Sequence, residues 1–332
     1  MNALRTSDTR DRRQTSFGVE PFDVGYGASF AAEADSPLDT ECEVVEDDGV
    51  LTPHEPQRWD RPRRLAFIDG TMRTDARLTR SGSDGVVYTG LAGCWAAGAA
   101  ITNGDGPLTV DHVAVDRLAI FCGGVRVDLP PQRNGWSWTS DAVEGNDLSM
   151  AQQRLQRRMR DAEGELAEQL CTAGWSTVVD GPLNNVRRTR TVPIIGYVKT
   201  HHRRLLAADN WARVPQLAVG QRSSVFALAD DLYGCYLRVG DAGPWASPWA
   251  GIARLEVPSG TGRQAAVEAL DAASSWLPRY ASVPHRDKRA PVNLTPIGGL
   301  EDALRRHLAD SRLALRAVRD AIIQLNTDGG AS

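Results

Sequence analysis

Leu65-Ala66-Phe67-Ile68-Asp69-Gly70 and Trp175-Ser176-Thr177-Val178-Val179-Asp180-Gly181-Pro182 are the stretches that decide how this chain folds. Each is an apolar or β-branched run ending in Asp-Gly, the pattern of a buried strand closed by a turn. Both aspartates are therefore expected at the carboxyl ends of central strands, where a side chain leaves the sheet and faces a crevice. A single Asp-Gly is better explained as an ordinary turn. Two matched cases with a helix between them point further, toward a shared site.

The segments around them complete the pattern. Val86 to Ile101 is apolar and glycine-rich, Asn103-Gly104-Asp105-Gly106-Pro107 breaks it, and Val113 to Val127 is strand-like again, which predicts a three-stranded antiparallel meander. From Ser149 the period changes: Leu155, Met159, Ala162, Leu166 and Leu170 recur at spacings of three and four, the stripe of an amphipathic helix with Ser149 as N-cap and Gly174 as stop. Ile194 to Val198, Val225 to Leu228 and Tyr233 to Val239 are further strand candidates, and a last helix runs from about Ile297 to Leu325. Strand, strand, strand, helix, strand is the opening order of the RNase H-like fold, in which the fourth strand lies parallel to the first. The expected architecture is α/β: an RNase H-like mixed sheet flanked by helices, with a polar N-terminal arm over residues 1–60, a body over 61–328 and a C-terminal helix.

Composition narrows the function classes. The chain has 332 residues, 42% apolar and 24% charged, with a net charge of −4, enough for one large core. It is not the basic object that coats a duplex, so any nucleic-acid contact must come from local patches. The five cysteines form no CxxC pair, which argues against structural zinc. No signal-peptide h-region and no run of 18 apolar residues occurs, so a cytoplasmic protein with no membrane span is expected.

If the first and fourth strands are parallel neighbours, Asp69 and Asp180 lie roughly 5 Å apart. Carboxylates that close repel unless a cation joins them. Glu163 is the third candidate. Counting about 100° per residue from Leu155 places it near +80°, at the rim of the apolar stripe. That position suits either a helix-flank ion pair or a half-buried ligand. Three hard oxygen donors suit Mg²⁺ or Mn²⁺ better than zinc, and two-metal phosphodiester hydrolysis requires no serine or cysteine nucleophile. Arg187-Arg188-Thr189-Arg190 and Lys199-Thr200-His201-His202-Arg203-Arg204 follow the relevant strands, so Arg187, Arg188, Arg190, Lys199, Arg203 and Arg204 are expected to meet phosphates. Trp136, Trp138 and Trp211 are either base-stacking platforms or core and lid residues. The adjacent His201 and His202 diverge on a strand and do not form a metal pair.

Phe67-Ile68-Asp69-Gly70-Thr71, Arg160-Asp161-Ala162-Glu163, Val178-Val179-Asp180-Gly181-Pro182-Leu183 and Ile195-Gly196-Tyr197-Val198-Lys199 together resemble the NurA nucleases over roughly residues 61 to 325. The most specific part is Asp-Gly-Pro-Leu with a glutamate 17 positions before its aspartate. The resemblance implies an RNase H-like, Mn²⁺- or Mg²⁺-dependent nuclease that forms dimers and processes DNA ends with the hexameric translocase HerA. It implies Asp69, Glu163 and Asp180 as metal ligands and catalytic residues, with Lys199 near the scissile phosphate. The family usually carries a histidine ligand after a proline near the C-terminus. Here the stretch reads Pro291-Val292-Asn293-Leu294-Thr295-Pro296-Ile297-Gly298-Gly299-Leu300-Glu301-Asp302. Glu301 takes the fourth-ligand role in this reading, with Asp302 and His307 as competitors and helix N-terminal stabilisation as the other explanation of Glu301. The alternative function is a non-catalytic DNA-binding or scaffold subunit that keeps the fold. A nucleotide-binding domain of actin type lacks its second repeat and Gly-rich phosphate loops here.

Overall fold

The computed structural model describes residues 41–329 apart from positions 59, 82–85, 188–192, 202–203, 229–230, 284, 286 and 288. In chain order its strands and helices are β1 (Pro53–His54), β2 (Arg64–Ser81), β3 (Val87–Asn103), β4 (Thr109–Cys122), β5 (Thr139–Val143), α1 (Leu148–Thr172), β6 (Ser176–Asp180), β7 (Ile194–Val198), α2 (Ala208–Trp211), β8 (Arg222–Ser223), β9 (Phe226–Leu228), β10 (Leu232–Arg238), β11 (Ile252–Pro258), α3 (Arg263–Trp276), α4 (Thr295–His307) and α5 (Ser311–Gly329). Among the described residues these strands form one mixed sheet in the order β1-β8-β10-β11-β7-β6-β2-β3-β4-β5, with β9 beside β10. The antiparallel meander β2-β3-β4 is present, and β6 pairs parallel to β2. This is the RNase H-like arrangement expected from the order of elements. No helix among the described residues is long and apolar enough to cross a membrane.

Alternation along β2 divides the core between two helical layers. Leu65 and Phe67 point to the side where Leu270 and Trp276 of α3 and Leu300 and Leu304 of α4 pack. Ala66 and Ile68 point the other way, against Leu166 and Leu170 of α1. Fully burying one such leucine contributes about 1.5–3 kcal/mol, so the apolar stripes on α1 and α4 hold the sheet from both faces. Helix α1 is capped two residues earlier than the sequence suggests: Asp147, not Ser149, is the N-cap, and its side chain accepts from the Ser149 amide at 2.9 Å. At the other end Gly174 takes a left-handed φ of 83°, the expected stop.

Several segments depart from the sequence reading. Strand β2 does not turn at Asp69-Gly70 but continues to Ser81, because β3 pairs with it along that whole length. Gly70 is not in a left-handed conformation; its role is to leave room, since a Cβ there would collide with Glu163 Oε1 and press on Met159. Residues 41–58, assigned to the arm, pack onto the sheet: Leu51 is fully buried, β1 pairs with β8, and the Ala227 amide donates to the Glu43 carbonyl at 2.8 Å. Residues 1–40 of that arm lie outside the described residues. The single C-terminal helix is two. Ala309 adopts φ 62°, Asp310 accepts from the Arg312 and Leu313 amides to start α5, and the Arg73 guanidinium donates to the carbonyls of Leu308 and Ala309.

Helix α1 also comes within contact of the loop after β6. A Cβ on Gly164 would collide with the Asn185 carbonyl oxygen, a backbone atom, so the loop itself would have to shift. Gly164→Ala is expected to destabilise by about 1–3 kcal/mol through overpacking. Gly298→Ala in α4, where nothing lies within 4 Å, is expected to stabilise by about 0.5–1 kcal/mol. Thermal unfolding of both variants checks the pair; equal shifts of the same sign contradict the close approach of α1 to the loop.

Candidate metal centre

Parallel pairing of β2 with β6 runs from Leu65 beside Ser176 to Ile68 beside Val179. The next residue on each strand is an aspartate, so Asp69 and Asp180 are lateral neighbours at the usual strand spacing of about 4.8 Å. Both lie on the face carrying Phe67 and Val178, beneath α4. Strand β6 ends at Asp180 while β2 goes on, so a crevice opens beside β2 at this point. Gly98 is the cross-strand partner of Asp69, and Leu304 of α4 lies against it, closing the apolar side of the crevice.

Glu163 arrives from the opposite layer. Its carboxylate fills the space that a side chain on residue 70 would occupy, one residue along from Asp69. Together with Asp180, Asn185 and Arg160 it lines a cleft between α1 and the Gly181-Pro182 loop. Asp69 and Glu163 are 9% and 6% exposed, which is rare for carboxylates without a compensating cation.

The electrostatics follow from that burial. Desolvation, then the nearby Asp180 and Glu163 charges, push the Asp69 carboxyl well above the usual carboxylate range, against the pull of Lys199. Burial also lifts Glu163 to about 8; Arg160 opposes the rise and Asp180 adds to it. Oδ1 of Asp180 is buried and has no hydrogen-bond partner. Its other oxygen, Oδ2, accepts from Lys199 Nζ at 2.6 Å. Two buried acids held above their ordinary range beside a third with an unsatisfied oxygen form a donor set that fits a hard divalent cation.

Behind this cluster are residues that sequence pattern did not single out. Lys199 Nζ also donates to Asn293 Oδ1 at 2.9 Å, and Asn293 Nδ2 donates to Asp287 Oδ2 at 2.5 Å. Glu256 on β11 is buried, accepts from the Leu183 amide at 3.1 Å and from Arg254 Nε at 2.9 Å, and so pins the chain three residues after Asp180. Tyr197, the β7 partner of Asp180, donates its hydroxyl to the Val292 carbonyl at 2.7 Å. Burial, then the Asp180 charge, holds that phenol well above its ordinary value, so it remains a donor. The available signals were polar residues, Glu256 and Asn293, embedded in apolar runs.

The other expected residues are placed as follows. Glu301 sits on α4 in an ion pair with Arg305 at 2.5 Å, Asp302 shares that arginine at 3.6 Å, and His307 is exposed; the charges acting on Asp69 are those of Asp180, Glu163 and Lys199. Arg187 pairs with Glu168 at 3.2 Å and is largely exposed, and Arg204 approaches Glu41 at 3.6 Å. Arg188, Arg190 and Arg203 lie outside the described residues. Trp138 is buried, Trp136 is covered by the Arg117 guanidinium and Trp211 packs on Trp249, so the three tryptophans are engaged within the fold. Among the described residues, the His/Cys/Asp/Glu group with ligand atoms all within 4.8 Å of one another is Glu46, Asp47 and His54. It lies at the β1–β8 edge, several strands from Asp69, and Glu46 there is already paired with Arg222. The three carboxylates beside β2 are more widely spaced than that group.

No family profile matches the chain, and no curated protein matches it. Among solved structures it is similar to the crystal structure of the NurA nuclease from Sulfolobus solfataricus, with 12% sequence identity and a TM-score of 0.43, over 82% of this chain and 87% of that one. A likeness that distant carries no functional weight, and the functional reading rests on the residues.

Proposed function

We propose that the chain is a divalent-metal-dependent nuclease that hydrolyses DNA phosphodiester bonds. The observation supporting it is the convergence of three buried or half-buried carboxylates, Asp69, Glu163 and Asp180, where β6 ends beside β2, with one Asp180 oxygen unsatisfied. Asp69, Glu163 and Asp180 would hold Mn²⁺ or Mg²⁺, which supplies Lewis-acid polarisation of the phosphodiester. Lys199 carries positive charge at the same spot and balances the phosphate. Arg160, which lines the cleft, and the exposed Arg187 after β6 would give the backbone sequence-independent contacts; the sequence proposes Arg188, Arg190, Arg203 and Arg204 for the same role. Glu301 serves as a fourth ligand only after exchanging Arg305 for the ion. The resemblance in the Asp-Gly-Pro-Leu segment supports the finer reading: single-strand endonuclease and 5′–3′ exonuclease action on DNA ends in repair, as a cytoplasmic homodimer beside a HerA-like hexameric ATPase. One observation favours a second reading, a non-catalytic DNA-binding or scaffold subunit: the Lys199–Asp180 ion pair is also what a purely structural pair of groups looks like.

One assay separates the two. Labelled single- and double-stranded DNA is incubated with purified protein and Mn²⁺ or Mg²⁺. The wild type is expected to cleave, Asp69→Ala and Asp180→Ala to fall to background, and Glu301→Gln to change the rate by no more than about fivefold, the equivalent of an exposed ion pair. Absence of cleavage in both metals, or mutants as active as wild type, refutes the nuclease.

Stability offers an independent check. The folded-state value of Glu163, about 8, lies above its ordinary 4.5. Between those values the folded protein holds a proton that the unfolded chain releases, so this group makes stability fall as pH rises. In cation-free buffer Glu163→Gln is expected to flatten that fall from pH 5 to 8, and Mn²⁺ is expected to raise the wild-type Tm more at pH 8 than at pH 5. A pH profile identical in wild type and variant contradicts the buried, unneutralised carboxyl.

A further inference from the structure

Asn293 is 5% exposed and makes two hydrogen bonds of opposite sense. Its Oδ1 accepts from Lys199 Nζ and its Nδ2 donates to Asp287 Oδ2. An ammonium only donates and a carboxylate only accepts. The amide therefore has one permitted orientation: flipped, it would set donor against donor and acceptor against acceptor. The surrounding backbone is fixed as well. The Ser282 amide donates to the Asn293 carbonyl at 2.7 Å, Ala281 and Leu294 form a bridge, and Tyr197 holds the preceding Val292. Asp287 is anchored in its own turn, its Oδ1 accepting from the Arg289 amide at 2.8 Å.

We propose that Asp287 and Asn293 form a polarity-setting arm that holds the Lys199 ammonium on Asp180, making Asn293 the positioning residue for Lys199. Lysine is a compact charge on a stem with four rotatable carbons; left to itself, Nζ samples many positions. With Asp180 Oδ2 on one side and Asn293 Oδ1 on the other, it stays beside the carboxylates, where a scissile phosphate has to sit if the nuclease reading, on which this inference rests, is right. Asp287 acts one step further back, since it decides which end of the Asn293 amide faces the lysine. Partners of this outer kind typically alter activity by about 10- to 100-fold when removed.

The test uses full-length protein and two readouts. Rates of Lys199 acetylation by an amine-reactive reagent, followed by peptide mass spectrometry without DNA or metal, report whether the ammonium is held. Asn293→Leu is expected to raise that rate about tenfold and to lower kcat for cleavage about tenfold with KM for DNA nearly unchanged, the lower end of the range for such partners. Asn293→Asp alone sets two carboxylates face to face. Combined with Asp287→Asn, the new amide at 287 donates to the new carboxylate at 293, which still accepts from Lys199, and the double variant is expected to recover acetylation protection and most of kcat. Unchanged Lys199 reactivity in Asn293→Leu, or a double variant no better than Asn293→Asp, overturns the proposal. Should Asn293→Leu fold poorly, the comparison of the double variant with Asn293→Asp decides alone. A wild type that cleaves nothing refutes the nuclease reading, while the acetylation rates still decide the positioning arm.

Discussion

Four parallel cross-strand pairs, Leu65 with Ser176 through Ile68 with Val179, tie β6 to β2. Their register sets the position of everything at the site. A slip of one residue in β6 would turn Asp180 to the face opposite Asp69 and carry Val178 out of the α3–α4 core. The apolar residues that fix the register are thus the same ones that align the aspartates. Because β6 stops at Asp180 while β3 keeps β2 paired to Ser81, the crevice opens beside the middle of a continuous strand. Asp69 therefore sits on backbone held on one side throughout, which makes it a rigid platform rather than a loop residue.

Concentrating carboxylates here runs against the rest of the fold. Elsewhere the buried acids are matched: Asp141 accepts from Arg154 at 2.8 Å, with burial outweighed by that arginine and by the Ala142 amide so that its carboxyl stays below its ordinary range, and Arg222 sits between Glu46 and Asp271. Asp69 and Glu163 shift the other way. The chain can neutralise buried acids and does so where only structure is at stake. Local conflict of this kind is expected where function demands it, and the Lys199 ammonium relieves only part of it.

The opening order of elements was legible in the sequence: apolar or β-branched runs mark β2, β3 and β6, and three-and-four spacing marks α1. Helical phase also put Glu163 at the rim of the apolar stripe. What periodicity cannot report is how a strand continues once its partner stops. Asp69-Gly70 and Asp180-Gly181 read alike, yet only the second turns, with Gly181 at φ 114°: β3 keeps β2 in its ladder through Ser81, whereas beyond Asp180 an isolated bridge from Gly181 to Tyr197 takes the place of the β6 ladder. The break in the last helix was hidden in the same way: Ala309 is an ordinary helix former, and the interruption depends on Arg73 and Asp310 binding the free backbone groups. Asn293 was out of reach because its role lies in a contact with Lys199, 94 positions away in the chain, and Asp287 matters only through Asn293; no local pattern encodes that.

The two glycines show why the carboxylates had to be read in three dimensions. Gly181 frees the backbone to turn away after Asp180; Gly70 frees space, so that an acid from α1 can approach the sheet plane beside Asp69. A side chain on residue 70 would force the Glu163 carboxylate and Met159 to shift from their places, whereas a side chain on residue 181 would meet nothing within 4 Å and strain only the backbone. The third carboxylate of the cluster therefore depends on an atom that is missing from its neighbour. Helix phase brings Glu163 to the right side of α1, but the absent Cβ on β2 is what lets its charge act together with those of Asp69 and Asp180.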